Sequence, residues 1–263
     1  MGLTKYWEVG KVSLYNSLAY RMDFFAFSLF IGLIIFIFIN LWSTIYADGT
    51  KLIEGFSIGM MIWYLVLTES IVTSPGRVIE DIGNEIQSGN VAQNLNKPYN
   101  YVLFHYASSM AKSLFRFVLT FSIGGVVALT FIGGLKVSLW SIPLIIISIA
   151  LALTLHFCMM ALISVYIIWL EDAKAINFIY NKFVFVLGGM LLPLEIFPTW
   201  LAKISQSLPF SYVAYYPAKL GVMFNWDLFL KVIFGQLAWT LLVIILIIIS
   251  YKFCFKRISI NGG

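Results

Sequence analysis

Charged residues are scarce in this sequence. Aspartate, glutamate, lysine and arginine together make up 11% of its 263 residues, while 61% are hydrophobic. Soluble domains carry roughly 25% charged residues, and a soluble chain of this length could not bury so many apolar side chains. The apolar residues form long continuous runs, which are typical of membrane-spanning helices rather than of outer-membrane strands. The sequence therefore predicts an all-α integral membrane protein.

Residues that carry catalysis or bind metals are also few. The two cysteines, Cys158 and Cys254, lie far apart, and the two histidines, His105 and His156, are isolated. Neither pair has the spacing of metal ligands, and no phosphate-binding GxxxxGK[ST] loop is present. We therefore predict no metal site, no cofactor or nucleotide site in this chain, and no enzymatic activity of its own.

The net charge of +5 does not indicate nucleic-acid binding. Lysine and arginine at the ends of spans are explained by membrane topology and by anionic lipid headgroups. These residues are more numerous on the side of the two termini. That excess predicts that both termini, and the polar segment 76–97, lie in the cytoplasm, and that the partners include membrane lipids but no nucleic acid.

The apolar runs predict six spans in a single domain over residues 1–263. The spans are placed at residues 24–47, 56–75, 100–135, 143–170, 178–197 and 230–253. Residues 4–22 read as an amphipathic helix in the membrane interface, because tyrosine, tryptophan and lysine suit the headgroup region. Residues 198–226 are aromatic and interrupted by Pro209 and Pro217, which favours an outer re-entrant pair of short helices.

The polar segment 76–97 has two interpretations, an ordinary loop or a helix that docks on a soluble partner. Val78, Ile82 and Ile86 recur at every fourth position and predict one apolar edge, and Gly89 is a plausible end of the helix. An apolar edge with acidic flanks favours docking. The candidate docking residues are Arg77, Val78, Glu80, Asp81, Ile82, Glu85, Ile86 and Gln87.

Three charged residues near the spans are candidates for a substrate path. Glu69 lies inside the second apolar run, where an unpaired charge costs at least a few kcal/mol. It lines a path, pairs with Lys112 or Arg116, which share a face of the third span, or lies near the cytoplasmic interface where water reaches it. Lys112 and Arg116 either extend toward the headgroups or bind an anionic substrate.

The outer segment offers candidates for an outer gate. Glu195, between two prolines, is either a solvated loop residue or part of a gate, and the aromatic residues are either an interfacial belt or the lining of an exit. The candidate gate residues are Pro193, Glu195, Phe197, Phe210 and Tyr212.

Three stretches resemble the permease subunits of type 2 ABC exporters, in the branch grouped with the daunorubicin and viologen exporters. They are NSLAYRMDFF at 16–25, GRVIEDIGNEIQSGNVAQNLNKPYNYVLFHYASSMAKSLFRF at 76–117, and PLEIFPTWLAKISQSLPFSYVAYYPAKLG at 193–221. The resemblance extends over nearly the whole chain and includes the six-span order.

The resemblance implies a permease without its own nucleotide site in a bacterial-type cell membrane. Two such permeases, identical or related, would pair with two cytoplasmic ATPase subunits that hold the ATP and Mg²⁺. Residues 4–22 would be the connecting helix, and 76–97 the coupling segment that sits on the ATPase. The mostly apolar bundle favours an amphipathic or hydrophobic exported substrate.

Two other functions remain open from the residues alone. A structural or assembly membrane protein would use the 76–97 segment as a scaffold. An intramembrane lipid-modifying enzyme would need polar residues that converge within the membrane, and Glu69 with two distant histidines is a poor set for that chemistry.

Overall fold

The computed structural model describes residues 4–19, 21–46, 52–95, 97–135, 137–167 and 172–261. Residue 47, the predicted end of the first span, and residues 168–170, the predicted end of the fourth span, lie outside these ranges. Within them the only β-type pairing is an isolated bridge between Ile53 and Phe56. The helices are α1 Thr4–Ala19, α2 Arg21–Ile45, α3 Ile58–Thr73, α4 Val78–Gln87, α5 Asn90–Leu95, α6 Tyr101–Phe131, α7 Ile142–Val165, α8 Ala173–Leu187, α9 Thr199–Ser207, α10 Pro209–Val213, α11 Tyr215–Val222 and α12 Trp226–Asn261, with 3₁₀ turns at Leu139–Ser141 and Leu194–Ile196.

Three helices begin at polar residues that cap them. The first backbone N–H groups of a helix have no partner within it, and a preceding Ser, Asp or Asn side chain accepts from them. Ser57 accepts from Met60 N before α3, and Asn100 accepts from Leu103 N before α6. Asp172 accepts from the N–H groups of residues 174 and 175 before α8. These caps fix where the apolar helices start.

Among the described residues, five helical stretches are long and apolar enough to cross a membrane. They are Phe25–Ile45, Ile58–Gln87, Tyr101–Phe131, Leu139–Val165 and Trp226–Tyr251. The protein is thus an all-helical, multi-pass membrane protein. The second stretch includes both α3 and α4, which are separated by a short non-helical link at residues 74–77.

The predicted fifth span, at residues 178–197, is not among these five. In its place α8 has 15 residues, which gives a length of about 22 Å against the ~30 Å of a hydrocarbon core. The backbone turns after α8 because Gly189 adopts a positive φ of 65°. Three short helices, α9 to α11, then lead to α12, so the sequence overestimated the length of this apolar helix.

Two apolar clusters hold the bundle together. The first joins α2, α3 and α11, with Ile35, Tyr64 and Leu220 buried at its centre. The second joins α4, α7, α8 and α12. Outside these clusters, α2 and α12 expose rows of large apolar side chains, including Leu33, Ile37 and Ile245. Such surfaces suit contact with lipid and would be unfavourable in water.

Helix α1 packs along the first half of α6. Ser13 donates to Ser108 over 2.8 Å, and the Tyr6 hydroxyl accepts from Asn100 N over 2.8 Å. Trp7 and Tyr15 stay exposed on the opposite face. That arrangement is compatible with a position in the membrane interface, which remains a prediction.

Candidate functional site

The polar end of the bundle is formed by α4, α5 and the first turns of α6 and α8. Helix α4 is seated there by its apolar edge, because Val78, Ile79 and Ile82 are almost completely buried against α7 and α8. Its C-terminus is set by Gly89, which has a positive φ of 74° as the expected helix stop requires.

A close approach at Gly83 fixes the seat of α4. A Cβ atom at this position would lie 2.8 Å from Ala173 Cβ and 2.8 Å from Ile167 Cδ1. Both neighbours belong to the chain at the end of α7 and the start of α8. Helix α4 is thus joined to these two helices without space for an added methyl group.

The burial of the apolar edge separates the predicted docking residues into two groups. Val78 and Ile82 face the protein's own core, and Ile86 is half-buried against the same cluster. A partner could therefore not receive this edge in a groove, which was the reason for proposing it from the sequence. The exposed residues of α4 and its start are Arg77, Asp81, Asn84 and Gln87.

Glu85, which the sequence predicts to contact a partner, links three helices within the chain. Its Oε2 accepts from the Tyr101 hydroxyl over 2.8 Å and from Asn94 Nδ2 over 2.9 Å. His105 Nε2 lies 3.5 Å from the same oxygen. Tyr101 and His105 are four residues apart and so share a face of α6, but nothing in the sequence pairs that face with Glu85.

Glu80 also contacts the protein itself. Asn177 of α8 donates to Glu80 Oε1 over 3.2 Å, and Arg77 Nε lies 3.8 Å from Glu80 Oε2. Asn177 is nearly a hundred residues away in the chain and carried no signal in the sequence. Of the three acidic docking candidates, only Asp81 is exposed.

The three predicted path residues do not come together. Glu69 is 3% exposed within α3, and no ion pair joins it to Lys112 or Arg116 in the described part of the chain. Lys112 lines a cavity of about 30 Å³ with Asp81 and His105, which is enough for about one water molecule. Of the alternatives for Glu69, the described residues therefore do not show the pair with Lys112 or Arg116.

Arg116 lines a different and larger cleft, of about 390 Å³. Its Nη1 atom lies 3.5 Å from the Pro75 carbonyl oxygen, in the link that precedes α4. Arg77 and Lys182 line the same cleft. The structure therefore groups Arg116 with a docking candidate and with a lysine of α8 that sequence reasoning had left out.

At the opposite end, where α3 begins and α6 ends, Glu195 forms an ion pair. Its Oε1 atom accepts from the Tyr215 hydroxyl and from Lys219 Nζ, and Lys219 Nζ also lies 3.0 Å from the Tyr215 oxygen. Burial, and then the Glu195 carboxylate, raises the pKa of Tyr215, which keeps its hydroxyl protonated as a donor. Glu195 is thus bound into the fold and is not a solvated loop residue.

The other outer-gate candidates pack against different helices. Phe210 stacks on Phe183 of α8, with ring centroids 5.7 Å apart. The backbone carbonyl of Tyr212 accepts from Gln236 of α12 over 3.1 Å. Pro193 is buried, and Phe197 is partly buried against the first apolar cluster. Nothing in these contacts separates a gate from a packed outer segment, so the gate remains a prediction.

Comparison with known proteins agrees with this architecture. The family model described as "ABC-2 family transporter protein" matches residues 29–262. The match therefore includes every helix from most of α2 to α12. A search of curated proteins found no match.

Proposed function

The chain belongs to the ABC-2 family of transporter proteins, and on that premise we propose that it is the permease subunit of an ATP-driven exporter of the daunorubicin and viologen type. Members of this family are membrane components of ABC transporters, so an ABC ATPase is the partner to expect. In this proposal the ATPase is a separate chain that binds ATP and Mg²⁺. A second copy of the permease, or a related one, completes the transporter.

The observation that supports this proposal most is the close packing of α4 against α7 and α8. One edge of this helix is fixed to α7 and α8, with no space at Gly83, while Asp81, Asn84 and Gln87 are exposed on it. A force on the exposed edge would therefore move α7 and α8 with α4. That is what a helix needs in order to transmit the closure of an ATPase dimer.

The proposed cycle converts this force into a change between two packings of the bundle. Binding of ATP closes the ATPase dimer and moves α4, and the two arrangements of the spans open to opposite sides of the membrane. In this proposal α8 and the short helices after it complete a sixth passage, so that α4 and both termini lie in the cytoplasm of a bacterial-type cell, as the excess of lysine and arginine predicts. The exported substrate is amphipathic or hydrophobic.

Co-purification in mild detergent tests the proposal. We expect the tagged chain to retain a soluble nucleotide-binding ATPase. The triple variant Asp81→Asn, Asn84→Arg and Gln87→Arg changes only exposed residues of α4, and it should reduce ATPase retention at least about tenfold because mismatched charges at an interface cost a few kcal/mol. Lys203→Glu, an exposed residue of α9, is the matched control and should retain the ATPase.

Two results would contradict the proposal. The first is recovery of the intact protein without any ATPase, which would favour a scaffold. The second is full ATPase retention and normal export by the triple variant, which would show that α4 is not the contact. Normal yield and thermal unfolding of the triple variant would show that its fold is unchanged.

A further inference from the structure

The cleft beside α4 collects cationic side chains from three distant parts of the chain. Arg77 comes from the start of α4, Arg116 from α6 and Lys182 from α8. Among the described residues, its lining includes no carboxylate. Its volume of about 390 Å³ lies in the range typical of small-molecule sites, roughly 300–1,000 Å³.

Two acidic residues of α4, Glu80 and Asp81, lie near these cations and offset part of their charge. Glu80 lies 3.8 Å from Arg77 Nε and accepts from Asn177, which lines the cleft. Asn181, another lining residue, donates to Asn177 over 3.2 Å. The polar side of the cleft therefore presents cations and amide groups, a set that suits an anionic oxygen cluster.

Another part of the cleft's lining is apolar. It is formed by side chains of α2, α3, α7 and α8 together with the turn after α8, namely Phe27, Val72, Met160, Phe185 and Met190. Lys182 Nζ lies 5.0 Å from the centre of the Phe178 ring and 5.7 Å from that of Phe185. Phe185 also lines the cleft, so its contact keeps the amine beside the apolar part of the lining.

A second cavity shows that this combination is not a general property of the bundle. It has a volume of about 500 Å³ and lies between α3, α6 and α7, with Trp63, Phe121 and Ile145 in its lining. No charged side chain lines it within the described residues. That cavity suits a neutral apolar group, whereas the cleft beside α4 suits a molecule with two unlike ends.

We propose that the cleft beside α4 binds an amphipathic anion. A carboxylate, sulfonate or phosphate group would lie at the three cations, and an apolar tail would lie against the apolar residues of the lining. Such a molecule is either the exported substrate or an anionic phospholipid of the adjacent leaflet, since basic pockets between spans hold lipid headgroups. Identification as substrate rests on the proposed exporter function. The anion site itself does not.

Thermal unfolding of the full chain in phosphatidylcholine nanodiscs tests the site. The probe is octyl phosphate, and octyl glucoside is the neutral comparison with the same tail. We expect octyl phosphate to raise the unfolding midpoint in a saturable way, as a ligand of the native state does, and octyl glucoside to have a much smaller effect.

Substitutions that remove one charge each show which cations bind octyl phosphate. Arg116→Gln and Lys182→Gln should each raise the octyl phosphate concentration needed for half of the effect about tenfold, which corresponds to about 1.4 kcal/mol. Lys112→Gln is the matched control, because Lys112 lies one turn from Arg116 on the same face of α6 but lines the small cavity. Lys182 is exposed, so its variant should fold even if that of Arg116 does not.

Three further results are informative. Equal stabilisation by octyl glucoside, or an equal loss in Lys112→Gln, would overturn the proposal. Competition from phosphatidylglycerol added to the nanodiscs would support the anion site and identify a lipid as its occupant. Undiminished binding in phosphatidylglycerol would support a free amphipathic anion. These nanodiscs contain no ATPase, so failure here would leave the exporter proposal standing, and failed ATPase co-purification would leave this binding unchanged.

Discussion

Two carboxylates, one near each end of the bundle, are held by the same kind of partner. Glu85 at the polar end accepts from the hydroxyl of Tyr101, and Glu195 at the opposite end accepts from that of Tyr215. Their remaining partners differ. Glu85 adds the amide of Asn94 and the ring of His105, whereas Glu195 adds the ammonium group of Lys219.

This difference shows how the two ends are stabilised. Glu85 joins three separate helices through several bonds of moderate length, so the loss of one leaves the others in place. Glu195 depends on one cation and one hydroxyl, and its second oxygen is buried without a hydrogen-bond partner in the described part of the chain. A single substitution among Glu195, Tyr215 and Lys219 should therefore lower the stability of the protein more than one at the polar end.

The largest effect is expected from Lys219→Met. Removing the cation leaves a partly buried carboxylate with one donor, which should lower the free energy of unfolding by about 3 kcal/mol. Thermal unfolding in detergent would show this loss against Lys203→Met, an exposed lysine of α9. A loss no larger than that of the control would remove the contrast between the two ends.

A smaller effect is expected from Gly83→Ala at the polar end. The added methyl group meets Ala173 and Ile167 at 2.8 Å, and overpacking of this kind costs about 1–3 kcal/mol. Because α4 must shift, we also expect reduced stimulation of the ATPase by the permease. Gly59→Ala is the control, since its Cβ would meet its nearest neighbour at an ordinary 3.6 Å. Unchanged stability and ATPase stimulation would mean that α4 is not held tightly.

The smallest effect is expected from Tyr101→Phe. It removes one hydrogen bond to Glu85 and keeps the ring, so the free energy of unfolding should fall by about 1 kcal/mol. The corresponding change at Glu195 is Tyr215→Phe, and it should lower the free energy of unfolding more than Tyr101→Phe does. If the order of the two variants in thermal unfolding were reversed, Glu85 would be the more important of the two carboxylates.

Local patterns in the sequence were sufficient for part of this architecture. Membrane character follows from the apolar runs, and the end of α4 follows from Gly89. The four-residue spacing of Val78, Ile82 and Ile86 predicted a helix with an apolar edge. The same spacing did not show what covers that edge, because a stripe buried in the chain's own core and one that docks on a partner have the same period.

The contacts between distant residues were not predictable in this way. Glu85 with Tyr101 and Glu80 with Asn177 join residues 16 and 97 positions apart, and Arg116 and Lys182 line one cleft. No single sequence records which of its polar residues will meet. The span predicted at 178–197 was too long for a related reason. Its apolar residues continue past Leu187, but the positive φ at Gly189 and the packing of α11 on α3 turn the chain away.

The sequence by itself determined that the chain enters a membrane, because the free energy of burying apolar side chains depends on composition and on the length of each run. It also determined where the polar segment lies and where α4 ends, since a left-handed glycine such as Gly89 acts over a few residues. Only the tertiary structure decided which acidic residues face inward, that Glu195 pairs with Lys219, and that three cations share one cleft. Those outcomes depend on helix packing, which brings together side chains whose separation along the chain carries no signal.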